Sequence, residues 1–496
     1  MHSASPQPSS DVDEVKTSPI LPTAPTVDPR PFHRHNVAVR PPSPLSPPEA
    51  APSRRTFLKH CGALAGLSTL PAWFVQAQAA VAAAATPITS PNSRPRIALI
   101  GCGGMGVGDA INASAFGDIV AVCDVDDTHA AAAVQKFTVD GKSPVSFSDF
   151  RKVLDHPDVD LIINATPDHW HTLINLGAAA AKKDVYSEKP LTLTVAEGRE
   201  VVSAVQRHGI MLQTGTQQRS FERFRLACEA IRNGRIGTLK QVKVWLPAGL
   251  RAGPFSPPAS VPAGLNWDFW LGPAPRVDYL TERCHRTFRF WYDYSGGTIT
   301  DWGAHHIDIA SWAIGLDAPE RVSGKALAQP IPGGYDAISE YEIRYEFKNG
   351  VTLTVVTTRD DDIFGGRVNP EGQRNGIHFE GTDGWIWVNR SQLTASDLER
   401  LRTPLPADAI RLYSSNNHMG NFIESCRTRK APICDAETGH RSASLCHLGV
   451  IALRTGKTLT WDARHERFSG SDARQANRYL SREPRSRYNQ KFLGLT

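Results

Sequence analysis

The chain has 496 residues, 41% of them hydrophobic and 21% charged, with a formal net charge of +5. Residues 1–94 hold eight basic and five acidic side chains, which leaves the rest of the chain at only +2. That balance gives no electrostatic footprint for nucleic acid, and the roughly 400 residues that carry it suffice for two domains with separate cores.

Residues 1–52 are rich in Pro, Ser and Ala and lack hydrophobic periodicity. Such a segment cannot bury enough apolar surface to offset its chain entropy, and it reads as a disordered leader or, equally well, as residues upstream of the true start site. Residues 53–85 open with Ser53-Arg54-Arg55-Thr56-Phe57-Leu58-Lys59 and continue as an apolar run from Cys61 to Ala85. Pro71, Gln76 and Gln78 interrupt the run, whose apolar centre is short for a bilayer crossing. Ala77-Gln78-Ala79 supplies the small residues a signal peptidase needs. The stretch is similar to a twin-arginine signal at every motif position. It predicts passage through the twin-arginine export machinery, a periplasmic or otherwise exported protein, and no permanent membrane span in the mature form. Residues 86–94 are a linker. Of eight cysteines, Cys61 would leave with the signal, and the other seven form no C-x-x-C pair. They are expected to stay unpaired as small buried hydrophobes, as in a chain that folds in a reducing compartment before it leaves.

Residues 95–215 form the next unit. The apolar run 96–100 meets Gly101, Gly103 and Gly106, a G-x-G-x-x-G, and residues 105–115 have helical composition. A second apolar run, 119–123, ends at Asp124. Strand, glycine turn, helix and a later acid together are the dinucleotide-binding context. Gly101 permits the tight turn, Gly103 lets the backbone approach the pyrophosphate, and Gly106 lets helix and strand pack. Met105 opens the helix whose N-terminus faces the phosphates. Asp124 is placed to accept from the adenosine ribose hydroxyls, and no Arg or Lys follows it closely to hold a 2′-phosphate, so NAD is favoured over NADP. Helices over 128–137, 168–182 and 195–208 alternate with strands over 161–165, 185–187 and 211–214, which predicts a parallel, doubly wound sheet. Two polar stretches fall at carboxyl ends of its strands, where ligands bind: Thr166-Pro167 with His171, and Glu188-Lys189-Pro190.

Residues 216–496 read as a second α/β unit. Strands are expected over 240–247, 339–347, 351–358, 377–380 and 385–389, with a hairpin at Asn349-Gly350. Few helices separate them, so the sheet should be open, mixed and largely antiparallel. A helix after Gly296-Gly297, capped by Thr300 or Asp301, would place Asp301, His305, Asp308 and Trp312 on one face and Ile307, Ala310 and Ile314 on another. Trp267, Trp270, Trp291 and Trp302 offer flat faces suited to pyranose rings.

N-A-T-P-x-x-x-H ending at His171, then E-K-P, then the stretch GGTITDWGAHHIDIASWAIG at 296–315, resemble the glucose–fructose oxidoreductase/inositol dehydrogenase family, Gfo/Idh/MocA. WDFWLGPAP at 267–275 and the segment 439–462 resemble its exported bacterial branch. The likeness spans nearly all of residues 95–490. It implies a Rossmann domain followed by a mixed-sheet α/β domain, dimers or tetramers formed through the free sheet face, and no metal requirement. It further implies that Lys189 bonds the substrate hydroxyl and cofactor ribose, and that Asp301 and His305 form the acid/base pair. In that scheme His305 takes the hydroxyl proton, and Asp301 orients the ring or binds a neighbouring hydroxyl. Thr166, Pro167, His171 and Glu188 fall on the cofactor side. Gln217, Arg219, Trp302, His306 and Asp308 fall on the substrate side, with Arg289, His440 and Arg441 as weaker candidates.

The resulting expectation is an exported, NAD-dependent oxidoreductase acting on a hydroxyl of a sugar, sugar derivative or cyclitol. Free NAD is a cytoplasmic metabolite, so an exported enzyme would need to retain its cofactor and run without net redox change. It could oxidise one sugar and reduce another, or act as a glycosidase that oxidises, eliminates, hydrates and reduces again. A non-catalytic NAD-binding sensor or scaffold is the rival from another class, and the joint presence of Lys189, Asp301 and His305 argues against it.

Overall fold

The computed structural model describes residues 94–316, 318–358 and 375–494. The leader, the signal segment and the linker up to residue 93 lie outside them. Among the described residues, no helix is long and apolar enough to cross a membrane.

The first unit is a six-stranded parallel sheet in the order β3-β2-β1-β4-β5-β6. Its strands are β1 (Arg96–Ile100), β2 (Asp118–Cys123), β3 (Val145–Phe147), β4 (Leu161–Asn164), β5 (Asp184–Ser187) and β6 (Leu212–Thr214). The crossovers run through helices α1 (Gly104–Ser114), α2 (Asp127–Phe137), α3 (Asp168–Ala180) and α4 (Val195–His208). β1, β4 and β5 are buried nearly throughout, as covering a parallel sheet on both faces requires. The topological switch lies between β1 and β4, the place where such sheets open a ligand crevice. The short β3 and the helical turn Phe150–Leu154 are additions to the expected elements. Three and five residues are too few for hydrophobic periodicity to show.

The second unit is a nine-stranded sheet in the order β13-β12-β11-β7-β10-β9-β8-β14-β15. Its strands are β7 (Leu239–Pro247), β8 (Arg321–Ala328), β9 (Glu340–Glu346), β10 (Thr352–Thr358), β11 (Gly376–Gly381), β12 (Trp385–Val388), β13 (Leu393–Ala395), β14 (Thr458–Asp462) and β15 (Arg467–Ser469). Only β7–β10 pair in parallel, so the sheet is mixed, largely antiparallel and open at both edges. The Asn349-Gly350 hairpin joins β9 to β10, with Gly350 at φ 79° and the Asn349 side chain accepting from Val351 N. Helices α5 (Glu222–Arg232), α6 (Thr298–Ile314) and α8 (Ala436–Thr455) pack on this sheet, whereas α7 (His418–Thr428) buries Met419, Phe422 and Ile423 in a core shared with Ile97, Leu99 and Val122 of the Rossmann sheet. Ile299, Ile307 and Ala310 of α6 and Leu445 and Leu448 of α8 share one core with Val244, Ile343, Tyr345 and Leu353. The other side of α8 reaches the Rossmann unit, where His447 Nε2 lies 3.0 Å from Thr192 O.

The start of α6 differs from expectation. Gly297 is the N-cap, at φ 77°, and Thr300 and Asp301 lie inside the first turn. Thr300 Oγ1 instead accepts from Gly296 N at 2.9 Å. Asp301 is thereby free of capping duty.

Residues 248–297 link the two units and hold a small core of their own. Trp267 stacks on Trp270 at 4.8 Å between ring centroids, and Tyr279, Trp291 and Tyr294 complete the cluster. Trp267 and Trp291 are therefore core residues whose rings meet other aromatic rings, and Trp270, stacked on Trp267, also borders the cavity described below. The segment is bonded to the Rossmann unit through Asn266 N to Val125 O (2.9 Å), Asp127 N to Gly264 O (3.0 Å) and Trp170 Nε1 to Trp270 O (2.9 Å). Among the described residues seven cysteines are free and buried, as expected from their spacing.

Candidate active site

The carboxyl ends of β1, β2, β4 and β5, with residues 269–301, enclose a cavity of about 580 Å³. Gly101, Gly103, Met105, Asp124, Thr166, Pro167, Glu188, Lys189 and Asp301 all line it. A Cβ at position 101 would sit 2.6 Å from Ala165 O, and one at 106 would collide with the Gly101 carbonyl. A Cβ at 103 or 104 meets nothing within 4 Å. The first turn of α1 therefore has open space before it, and Gly103 provides no side-chain cap for its N–H groups. Uncapped N–H groups facing open space are a seat for a pyrophosphate. Asp124 accepts from Cys102 N (2.7 Å) and Asp126 N (3.0 Å), which fixes its carboxylate at the end of β2. These residues fit a dinucleotide.

At the other end of the cavity Lys189 Nζ donates to Asp301 Oδ1 at 2.8 Å, and Arg289 Nε lies 3.3 Å from Asp301 Oδ2. Burial works against the Asp301 charge, but Lys189 and Arg289 outweigh it and hold the carboxyl below its usual range. Burial likewise opposes the Lys189 charge, and Asp301 and Glu188 overcome it, so the ammonium is held. His305 follows Asp301 by one helical turn and is 6% exposed. Its Nδ1 has no hydrogen-bond partner among the described residues. Burial, with the nearby Lys189 and Arg390 charges, pushes its pKa well below the ordinary histidine value, so the imidazole is neutral. Lys189 and Asp301 give the cavity a fixed cation and a fixed anion, while His305, a neutral base with an unpaired ring nitrogen, stands one turn beyond Asp301 and is not among the cavity's lining residues.

Glu188 accepts from Gln217 Nε2 at 2.9 Å, which turns Gln217 into a brace behind the cavity wall. His171 is buried, with ring nitrogens 2.7 Å from Pro190 O and 2.9 Å from Thr166 O. It holds the two polar turns together and does not line the cavity. Other candidates have partners that withdraw them from it. Arg219 forms a two-point pair with Asp308 at 2.7 and 2.8 Å, with side chains 11% and 1% exposed. His306 is enclosed between Gln218 (3.1 Å) and Asn375 (3.0 Å). Trp302 is half-buried under the Arg390 guanidinium. His440 and Arg441 of α8 belong to an ion-pair cluster with Glu437 on the same helix and Glu466 in the turn before β15.

Sequence reading missed Asp168, Ser295 and Arg286 as cavity residues. Ser295 Oγ donates to Asp168 Oδ2 at 2.5 Å, and burial raises the Asp168 carboxyl despite that bond. Asp168 stands inside the polar stretch 166–171 already noted, so its place after a strand end was the available signal. Ser295 and Arg286 come from an irregular segment and carried none.

Residues 95–216 match the NAD-binding Rossmann fold of an oxidoreductase family, and residues 254–490 match the C-terminal alpha/beta domain of the same family. A levoglucosan dehydrogenase of Pseudarthrobacter phenanthrenivorans is 27% identical over 52% of this chain and 62% of that protein. A myo-inositol 2-dehydrogenase of Thermotoga maritima is 23% identical over 53% of this chain and 68% of that protein. The chain spans about half to two thirds of the length of such curated relatives. The WlbA dehydrogenase of Bordetella pertussis, solved with NADH and UDP-GlcNAcA, shares the fold at TM-score 0.55 and 19% identity, over 74% of this chain and 99% of that one. With both halves matched in chain order behind a dinucleotide seat, the chain belongs to this oxidoreductase family, Gfo/Idh/MocA, and its N-terminal unit is an NAD-binding domain.

Proposed function

We propose that the protein is an NAD-dependent oxidoreductase that acts on a hydroxyl of a sugar, sugar derivative or cyclitol. The observation that carries this reading is the Lys189–Asp301 pair, 2.8 Å apart, with neutral His305 one turn away and the dinucleotide seat in the same cavity. NAD, when bound, supplies the hydride acceptor. Lys189 places a held positive charge where the hydroxyl oxygen becomes negative, which stabilises the alkoxide character of the transition state. His305 can take the hydroxyl proton because it is uncharged. Asp301 fixes the Lys189 ammonium and accepts from a neighbouring substrate hydroxyl. The test is NADH formation by the purified protein on a panel of aldoses, uronic acids, anhydrosugars and cyclitols. A fall in turnover by about 10²–10³ in Lys189→Met, with dinucleotide binding intact, is expected. Failure across the whole panel would favour a binding protein without catalysis.

We also propose export by the twin-arginine route with the cofactor retained, supported by the motif at 53–59 and by the bonded closure of residues 264–270 on the Rossmann unit. Mass spectrometry of protein recovered from the periplasm is expected to find bound dinucleotide. Release of aglycone from aryl glycosides without added NAD would support the redox-neutral glycosidase form. A homo-oligomer is proposed through the open face of the nine-stranded sheet, where alternate β9 residues such as Glu342 and Arg344 are exposed.

A further inference from the structure

At the adenosine side of the cavity stands a cluster that hydroxyl oxidation does not use. Asp126, His129 and His285 each present a ligand atom, and the three atoms lie within 4.8 Å of one another. We propose that these side chains bind a zinc-type divalent cation, which ties the segment around His285 to the Rossmann unit.

Each ligand is held by its surroundings. Asp126 is the N-cap of α2, and its Oδ1 accepts from Thr128 N at 2.8 Å and His129 N at 3.4 Å. That leaves Oδ2, which lies 3.0 Å from His285 Nε2. The rings of His129 and His285 are 4.4 Å apart between centroids, tilted by 47°. His129 Nδ1 lies 3.8 Å from Asp124 Oδ2. At that distance the carboxylate acts through its charge, which favours a cation at the neighbouring imidazoles.

The backbone brings the two segments together independently of these side chains. Asp126 bridges Leu265, Asp127 N donates to Gly264 O, and Asn266 N donates to Val125 O. Cys284, next to His285, is buried in the same small core as Leu265, which carries the His285 segment with these bonded residues. Two imidazoles and a carboxylate match the preferences of Zn²⁺, and three protein ligands leave one position for water. Asp124 and Asp126 supply two negative charges that a dication would balance, and Arg286, the neighbour of His285 in the cavity wall, acts on Asp301. The side chains of His129 and His285 are 33% and 41% exposed, which leaves a path for an ion.

The test is titration of the chelator-treated full chain with Co²⁺, followed by its visible absorption, and then with Zn²⁺ in competition. One equivalent of Co²⁺ with a tetrahedral or five-coordinate spectrum is expected, displaced by Zn²⁺, and Zn²⁺ should raise the melting temperature. His285→Ala and His129→Ala should each weaken binding at least about tenfold and abolish the rise in melting temperature, while both variants fold. Absence of stoichiometric uptake by the parent protein overturns the proposal. So does uptake that survives both histidine substitutions. Dinucleotide binding and sugar turnover are separate readouts, so failure here leaves the oxidoreductase reading standing.

Discussion

Lys189 and Asp301 are 112 residues apart in sequence and 2.8 Å apart in space, one at the end of a Rossmann strand and the other on a helix of the second unit. The pair exists only when both units are folded against each other. Removing the ammonium should lower kcat by about 10²–10³, the usual effect of deleting one donor to a developing oxyanion. Arg289 would still face Asp301, so the fold should survive. Steady-state kinetics with dinucleotide binding by fluorescence checks this for Lys189→Met. Unchanged kcat would remove Lys189 from the chemistry.

Two glycines of one motif should behave differently. A Cβ at 103 enters open space, whereas a Cβ at 106 collides with the Gly101 backbone. Gly103→Ala is expected to keep its melting temperature and bind NAD more weakly. Gly106→Ala is expected to lose stability as well. Thermal melts and NAD titration on both proteins separate the outcomes, and equal effects on both would contradict the assigned roles.

His305 sets the acid side of the pH profile. A base must be unprotonated to act, and burial lowers its pKa well below the ordinary value. The active form therefore persists as pH falls through about 6.5, where an ordinary histidine would be half-protonated. kcat/KM should stay flat through that pH and decline only below it. His305→Gln should reduce kcat by about 10²–10⁴. A decline centred on the ordinary histidine value would place the base elsewhere.

Arg219 should matter for stability more than for turnover. Its two-point pair with Asp308 is buried, and removal of one partner leaves an uncompensated charge, at a cost of about 3–5 kcal/mol. Arg219→Met alone should lower the urea midpoint, and adding Asp308→Leu should restore much of it. Equal loss in the single and double variants would show that the pair contributes little.

Much of the first unit was legible because a buried parallel sheet leaves near-continuous apolar runs, and because G-x-G-x-x-G constrains backbone geometry. Helix α6 was legible from the spacing of Asp301, His305 and Asp308, but spacing does not say what a side chain meets. Asp308 and Arg219 looked equally able to bind substrate until the fold placed them on each other. Trp267 and Trp291 misled for the same reason, since a flat ring suits a sugar and another ring alike. His285, Arg286 and Ser295 lie in a segment without period, where function depends on tertiary placement alone.

The buried cysteines have a use beyond packing. Burial pushes the Cys284 and Cys434 thiols up to about 12 and raises the others further, so the native state offers almost no thiolate to a reagent. Global opening would release seven nucleophiles together. The described residues thus contain their own chemical clock, in which the rate of labelling at these seven thiols measures how often the two folded units come apart.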